Sequence, residues 1–151
     1  MTDSALKQRI TEEMKAAMRA GAKARLNVIR LILAAVKQRE VDDRISLDDA
    51  QILVVLDKML KQRRDSISQY QAAQRQDLVD QEQYEVSVLQ EFMPAALSEA
   101  EIDGMIDAAL QEAGVSSPKE MGKVIGLLKP QMQGRADMGA VSAKVKTRLG
   151  G

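Results

Sequence analysis

Before Pro94 the chain has no proline and a single glycine, Gly21. Glycine and proline are the strongest punctuators of local structure, so a stretch this free of them is built for long helices. All three prolines (Pro94, Pro118, Pro130) and every other glycine lie beyond Met93. The last third should therefore consist of shorter helices with marked ends. β-Branched residues do not alternate with polar ones over any useful window, so strands are not expected. The expected fold class is all-α. An N-terminal helical domain of about four helices spans 1–93, and a small C-terminal three-helix domain spans 97–149. The boundary falls at Met93-Pro94-Ala95-Ala96.

Apolar spacing places the elements. Leu6, Ile10, Met14 and Ala17–Met18 recur at the helical period over Ser4 to Ala20, and Gly21 suits a left-handed C-cap. A second helix, Lys23 to Asp42, carries Leu26, Ile29, Leu33 and Val36 on one face. Val28, Leu31, Ile32, Ala34 and Ala35 widen that face, which predicts the centre of the first core. Ser46 with Asp49 is a weak capping box opening a third helix through Ile52, Leu56, Met59–Leu60, Arg63, Ile67 and Tyr70. A fourth helix, Leu78 to Phe92, stops before Pro94, since the residue before proline avoids the α region.

Beyond the boundary, Ser98 with Glu101 is a good capping box, ahead of Ile102, Ile106 and Ala109–Leu110, with Gly114 as the stop. Ser117-Pro118-Lys119-Glu120 combines three helix-start signals. The helix that follows should bend or end near Lys129 because of Pro130. Gly134 turns the chain and Asp137 caps a last helix with Met138, Val141, Val145 and Leu149. Gly122-x-x-x-Gly126 reads as a packing feature that lets helices approach closely.

With 151 residues the chain can bury a core without cross-links. It has no Cys and no His, which excludes disulfides, thiol nucleophiles, imidazole or thiolate metal sites and histidine general bases. No cofactor and no metal are expected. Phe92, Tyr70 and Tyr84 are the only aromatics, too few for a base-stacking platform. The longest apolar run, Leu31 to Val36, is far short of the ~20 residues of a membrane span, and the N-terminus lacks a secretory h-region. A cytoplasmic location without membrane association is expected. The adjacent carboxylates Glu12–Glu13 and Asp42–Asp43 have no apolar pocket that would separate their pKa values for acid/base work.

The formal charge is zero, yet it is segregated. Residues 1–76 hold 15 bases and 10 acids, 77–118 hold 10 acids and no base, and 119–151 hold 7 bases and 2 acids. The acidic middle suits internal pairing with its basic neighbours, or docking to a basic partner. The seven C-terminal bases are Lys119, Lys123, Lys129, Arg135, Lys144, Lys146 and Arg148. If they converge, they form the electrostatic footprint of an RNA contact that reads backbone and shape. A reserve cluster is Lys61, Arg63 and Arg64, with Lys58 nearby; Arg63 also lies on the apolar stripe. Helix N-termini at Ser117 and Asp137 are weaker anion candidates, and Asp137 itself repels phosphate.

Across essentially its whole length the chain resembles the YqeY-like family. The resemblance rests on Ile29-Arg30-Leu31-Ile32-Leu33-Ala34-Ala35 with Lys37-Gln38-Arg39-Glu40, and on Lys61-Gln62-Arg63-Arg64-Asp65-Ser66-Ile67 with Gln69-Tyr70. It continues through Leu89-Gln90-Glu91-Phe92-Met93-Pro94, Leu97-Ser98, Met121-Gly122-x-x-x-Gly126, Gly134-Arg135-Ala136-Asp137 and Val141. The family's C-terminal half is similar to the tail domain of GatB, the B subunit of the glutamine-dependent aspartyl/glutamyl-tRNA amidotransferase. There the corresponding stretch resembles Gly-Lys-Ala-Asn-Pro, and Met138 stands where proline is usual. The resemblance implies an all-α fold with two helical domains, tRNA and a translation enzyme as partners, and a family label of carbon–nitrogen ligase with glutamine as amido-N-donor. The ATP-using cradle domain has no counterpart here. The expected function is a noncatalytic tRNA-associated module; the alternative is a protein–protein adaptor that uses the acidic middle segment.

Overall fold

The computed structural model describes residues 4–150. Among them are seven α-helices, one 3-10 turn and no strand: α1 (Ala5–Ala20), α2 (Lys23–Asp43), α3 (Asp49–Ala72), α4 (Gln76–Glu91), α5 (Glu99–Ala113), the turn Pro118–Glu120, α6 (Met121–Met132) and α7 (Met138–Arg148). The all-α expectation is met. The chain divides into two compact units, Met1–Pro94 and Ala95–Gly151.

In the first unit, α1 to α4 enclose a core centred on Ile10, Ile29, Ile32, Ile52, Leu56 and Leu89. Ser4 caps α1: its Oγ accepts from Lys7 N at 3.0 Å and donates to Asp49. Asp49 Oδ1 also accepts from Leu6 N at 3.1 Å, which ties the start of α1 to the start of α3. Gly21 ends α1 at φ 67°, a left-handed position that glycine adopts without steric cost. The start of α3 differs from the Ser46–Asp49 expectation. Asp48 is the N-cap, with Gln51 N donating to Asp48 Oδ1 at 2.8 Å and Asp48 N donating to Gln51 Oε1 at 2.9 Å. Both orphan donors are satisfied by this pair, with glutamine at the third helical position where the box prefers Glu or Gln.

Three predicted core assignments in this unit fail. Met18 is 52% exposed and Leu31 46% exposed, and Ala34 also faces solvent. The buried face of α2 is narrower than its apolar content, because Val28, Ile29, Ile32 and Val36 already fill the space against the neighbouring helices.

The second unit has its own core of Ile102, Ile106, Val124, Leu128, Met132, Val141 and Val145, among others. The Ser98–Glu101 capping box forms, and Gly114 ends α5 at φ 63°. Ser117 and Pro118 open a 3-10 turn, which leads into α6. Pro130 lies inside α6, which continues to Met132, so the helix does not end at Lys129. The hydrogen bond forfeited is the one to the carbonyl of Gly126, and both residues are exposed, so water can satisfy that oxygen. Asp137 caps α7, its Oδ1 accepting from Gly139 N at 3.0 Å.

Candidate nucleic-acid interface

The helical period of α6 sorts its residues into two faces. Val124, Leu128 and Met132 are buried. On the opposite face lie Gly122, Lys123, Gly126, Lys129 and Pro130, all exposed, with exposed Lys119 in the turn just before. A Cβ placed on Gly122 or Gly126 meets nothing within 4 Å. Among the described residues no helix approaches this glycine pair, so the close helix packing expected of it is not formed here. Each exposed glycine in a helix interior costs roughly 0.5–1 kcal/mol relative to alanine. The face is thus smooth, bare and basic, and among the described residues the ion pair of Lys123 is an exposed i,i+3 contact to Glu120 at 3.4 Å.

The seven candidate bases do not form one group. Lys119, Lys123 and Lys129 share the α6 face and its leading turn. Lys144 and Arg148, four apart on α7, turn instead to the acids of α5. Lys144 Nζ donates to Glu99 and, at 3.1 Å, to Asp103. Arg148 pairs with Asp107 and lies 3.5 Å from Asp103. The hydrogen bond to Glu99, followed by that to Asp103, raises the Lys144 ammonium above its ordinary value. A groove of about 480 Å³ lined by Asp103, Ala143, Lys144, Thr147 and Arg148 therefore has both of its cations engaged by carboxylates. Lys146 is exposed on α7. Arg135 is half-buried rather than free: its Nε donates to the Ala95 carbonyl at 3.3 Å, while its own carbonyl accepts from Leu97 N at 2.8 Å.

The reserve cluster also separates. Lys61 and Arg64 are exposed, whereas Arg63 turns inward to Glu85 (2.8 Å) and Glu82 (3.6 Å). The two helix starts weighed as anion sites carry their own caps, Ser117 Oγ on Lys119 N and Asp137 on Gly139 N. Glu13 pairs with Arg25, Asp43 with Arg39 and Glu12 with Lys15, so the adjacent carboxylates take part in ordinary surface ion pairs.

The acidic middle is largely engaged within the chain. Asp77 pairs with Arg75, Glu82 and Glu85 with Arg63, Glu91 with Arg25, and Glu99, Asp103 and Asp107 with α7. Gln76 donates to Asp80, and Glu101 serves the Ser98 capping box. Among the described residues no group of three or more acids is arranged to hold a metal ion, and no helix is long and apolar enough to cross a membrane.

Comparison with known proteins supplies kinship. A protein of Pyrenophora tritici-repentis named "Altered inheritance of mitochondria protein 41, mitochondrial" is 31% identical over 145 residues, covering 94% of this chain and 80% of that protein. Proteins of the same name from Lachancea thermotolerans (33% over 113 residues) and Kluyveromyces lactis (32% over 112) each match 72% of this chain. The chain spans 60% of the length of these last two. The cytoplasmic location expected from the sequence is overturned by these relatives, which are named as mitochondrial proteins. The family model described as "Yqey-like protein" matches residues 7–149. With that match over nearly the whole chain, the protein belongs to the Yqey-like family.

Proposed function

We propose that this chain is a noncatalytic, tRNA-associated helical module whose α6 face lies against RNA phosphates. The observation that carries the reading is the bare, basic surface of Lys119, Gly122, Lys123, Gly126 and Lys129. Phosphate contacts need cations that can shed counterions, and close backbone approach needs an unobstructed surface. Both are present on this one face. The resemblance of the C-terminal half to the GatB tail supplies the RNA class. The relatives' names specify no substrate or partner, so they add nothing on this point. The absence of His and Cys from the sequence favours a binding role over a self-sufficient amidotransferase.

The adaptor alternative is the weaker reading. Seven acids of the 77–118 segment are in ion pairs within their own unit, and two more serve side-chain or cap hydrogen bonds. A basic partner would have to displace those contacts.

The test is tRNA binding by the full chain across a salt series. Lys123→Glu with Lys129→Glu should weaken binding and flatten the log–log salt slope by roughly one unit for each phosphate no longer neutralised. Both side chains are exposed, so the fold should be retained, as checked by circular dichroism. Unchanged affinity and slope in the folded variant would remove this face as an RNA site.

A further inference from the structure

The exposed side of α2 has a pattern that neither the core nor the proposed RNA face uses. Leu31 is 46% and Val41 59% exposed, and Ala34 lies between them on the same side. The exposed residues Ala24, Asn27, Leu31, Ala34, Gln38 and Val41 follow alternating steps of three and four. That is the a/d spacing of a coiled-coil seam. At a rise of 1.5 Å per residue, Leu31 to Val41 forms a ridge about 15 Å long. Lys23, Arg30 and Lys37 run beside it at seven-residue intervals, each just before an a position, and all three are exposed. Among the described residues none of the three takes part in an ion pair. The helix is thus apolar on two sides: one side packs into the core, and the other is open with a basic border.

We propose that this outer face of α2 is a docking seam for an amphipathic helix of a protein partner that carries acidic residues beside its own apolar stripe. Charges that flank such a seam set partner choice, and a row of three bases selects acids. A second copy of this chain does not fit. In an antiparallel pair the basic rows of the two copies face each other. In a parallel pair they face Val28, Ala35 and Asp42, which offer one acid for three bases. An anionic membrane surface fits less well. Asn27 and Gln38 interrupt the apolar ridge, no aromatic lies on it, and Asp42 and Asp43 stand at its end. In a helix pair, polar seam positions of this kind fix register.

The test uses the full chain and two synthetic peptides of three heptads with the same leucine-rich seam, one flanked by Glu and one by Lys. The Glu peptide should bind, and its affinity should fall as salt rises; the Lys peptide should not bind. Arg30→Glu with Lys37→Glu should weaken the Glu peptide roughly tenfold and create binding to the Lys peptide. Leu31→Ser with Val41→Ser should abolish both. The two peptides against the unaltered chain decide the charge preference without any variant. Equal binding of the two peptides, or binding of neither, overturns the proposal. So does capture by phosphatidylserine-containing vesicles without peptide binding, or self-association that Leu31→Ser removes.

Discussion

Arg63 Nε lies 2.8 Å from Glu85 Oε2, joining α3 to α4 inside the first unit. Glu82 Oε2, on the same helix as Glu85, lies 3.6 Å from the same nitrogen, and among the described residues neither this oxygen nor Arg63 Nε makes a hydrogen bond of good geometry. One guanidinium therefore serves two carboxylates that are 17% and 16% exposed. Desolvation, followed by the neighbouring Glu85 charge, pushes the Glu82 carboxyl above its ordinary value. The two acids are unequal: Glu85 has the close contact, while burial and the Glu85 charge disfavour the charged form of Glu82.

Substitutions in this trio should therefore differ in sign. Arg63→Met leaves two half-buried carboxylates without a counter-charge and should cost about 2 kcal/mol or more in urea unfolding. Glu85→Gln should also destabilise. Glu82→Gln should be neutral or stabilising at pH 7. A raised folded value makes the charged form unfavourable above that value, and the penalty vanishes in acid below the unfolded value. Equal losses from Glu82→Gln and Glu85→Gln would contradict this asymmetry.

Glu40 has the opposite sense. Its carboxylate accepts from Leu47 N at 2.9 Å and from Lys7 Nζ at 2.9 Å, holding α2, the α2–α3 connection and α1 together. The backbone N–H of Leu47 is the larger cause, and Lys7 the next, of a carboxyl held below its ordinary value. A lowered folded value means the stabilisation is complete above the unfolded value of about 4.3 and is lost as pH falls through the folded value. Glu40→Gln should cost about 1–2 kcal/mol at pH 7, and the gap to the parent chain should close in acid. A gap that does not narrow at all as the pH falls would show that charge is not the source.

Helix class and most helix ends were legible because they depend on local chemistry. Gly21, Ser98, Gly114 and Asp137 act through neighbouring backbone groups, and each does what its sequence position implies. The exposure of Leu31 and Met18 was not legible, since periodicity ranks apolar faces but does not count the neighbours available to cover them. Charge behaved similarly. The seven C-terminal bases read as one group, yet Lys144 and Arg148 meet acids more than forty positions away on α5. Arg63 is the exception that could be read in advance, because a base on an apolar stripe must find buried acids.

The bare face of α6 yields a prediction with two readouts. Gly122→Ala and Gly126→Ala add methyl groups into open space within a helix, so each should stabilise the protein by roughly 0.5–1 kcal/mol in thermal unfolding. If RNA lies against that face, the same changes should weaken tRNA binding while the protein becomes more stable. Stabilisation with undiminished binding would detach the glycines from RNA contact and leave Lys119, Lys123 and Lys129 as its only support there.

Lys144 and Arg148 provide the control for the RNA reading. They belong to the same basic tail as Lys123 and Lys129, but their charges are already matched by Glu99, Asp103 and Asp107. A paired cation has already exchanged its counterion for a carboxylate, so it has little to release on meeting a phosphate. Lys144→Ala with Arg148→Ala should remove the ion pairs that tie α7 to α5, lower the melting temperature and leave both tRNA affinity and the salt slope unchanged. Lys123→Glu with Lys129→Glu should do the reverse, altering affinity and slope with little change in melting. Were the α7 pair to carry the salt dependence instead, the RNA surface would lie on the groove between α5 and α7, and those ion pairs would have to open on binding.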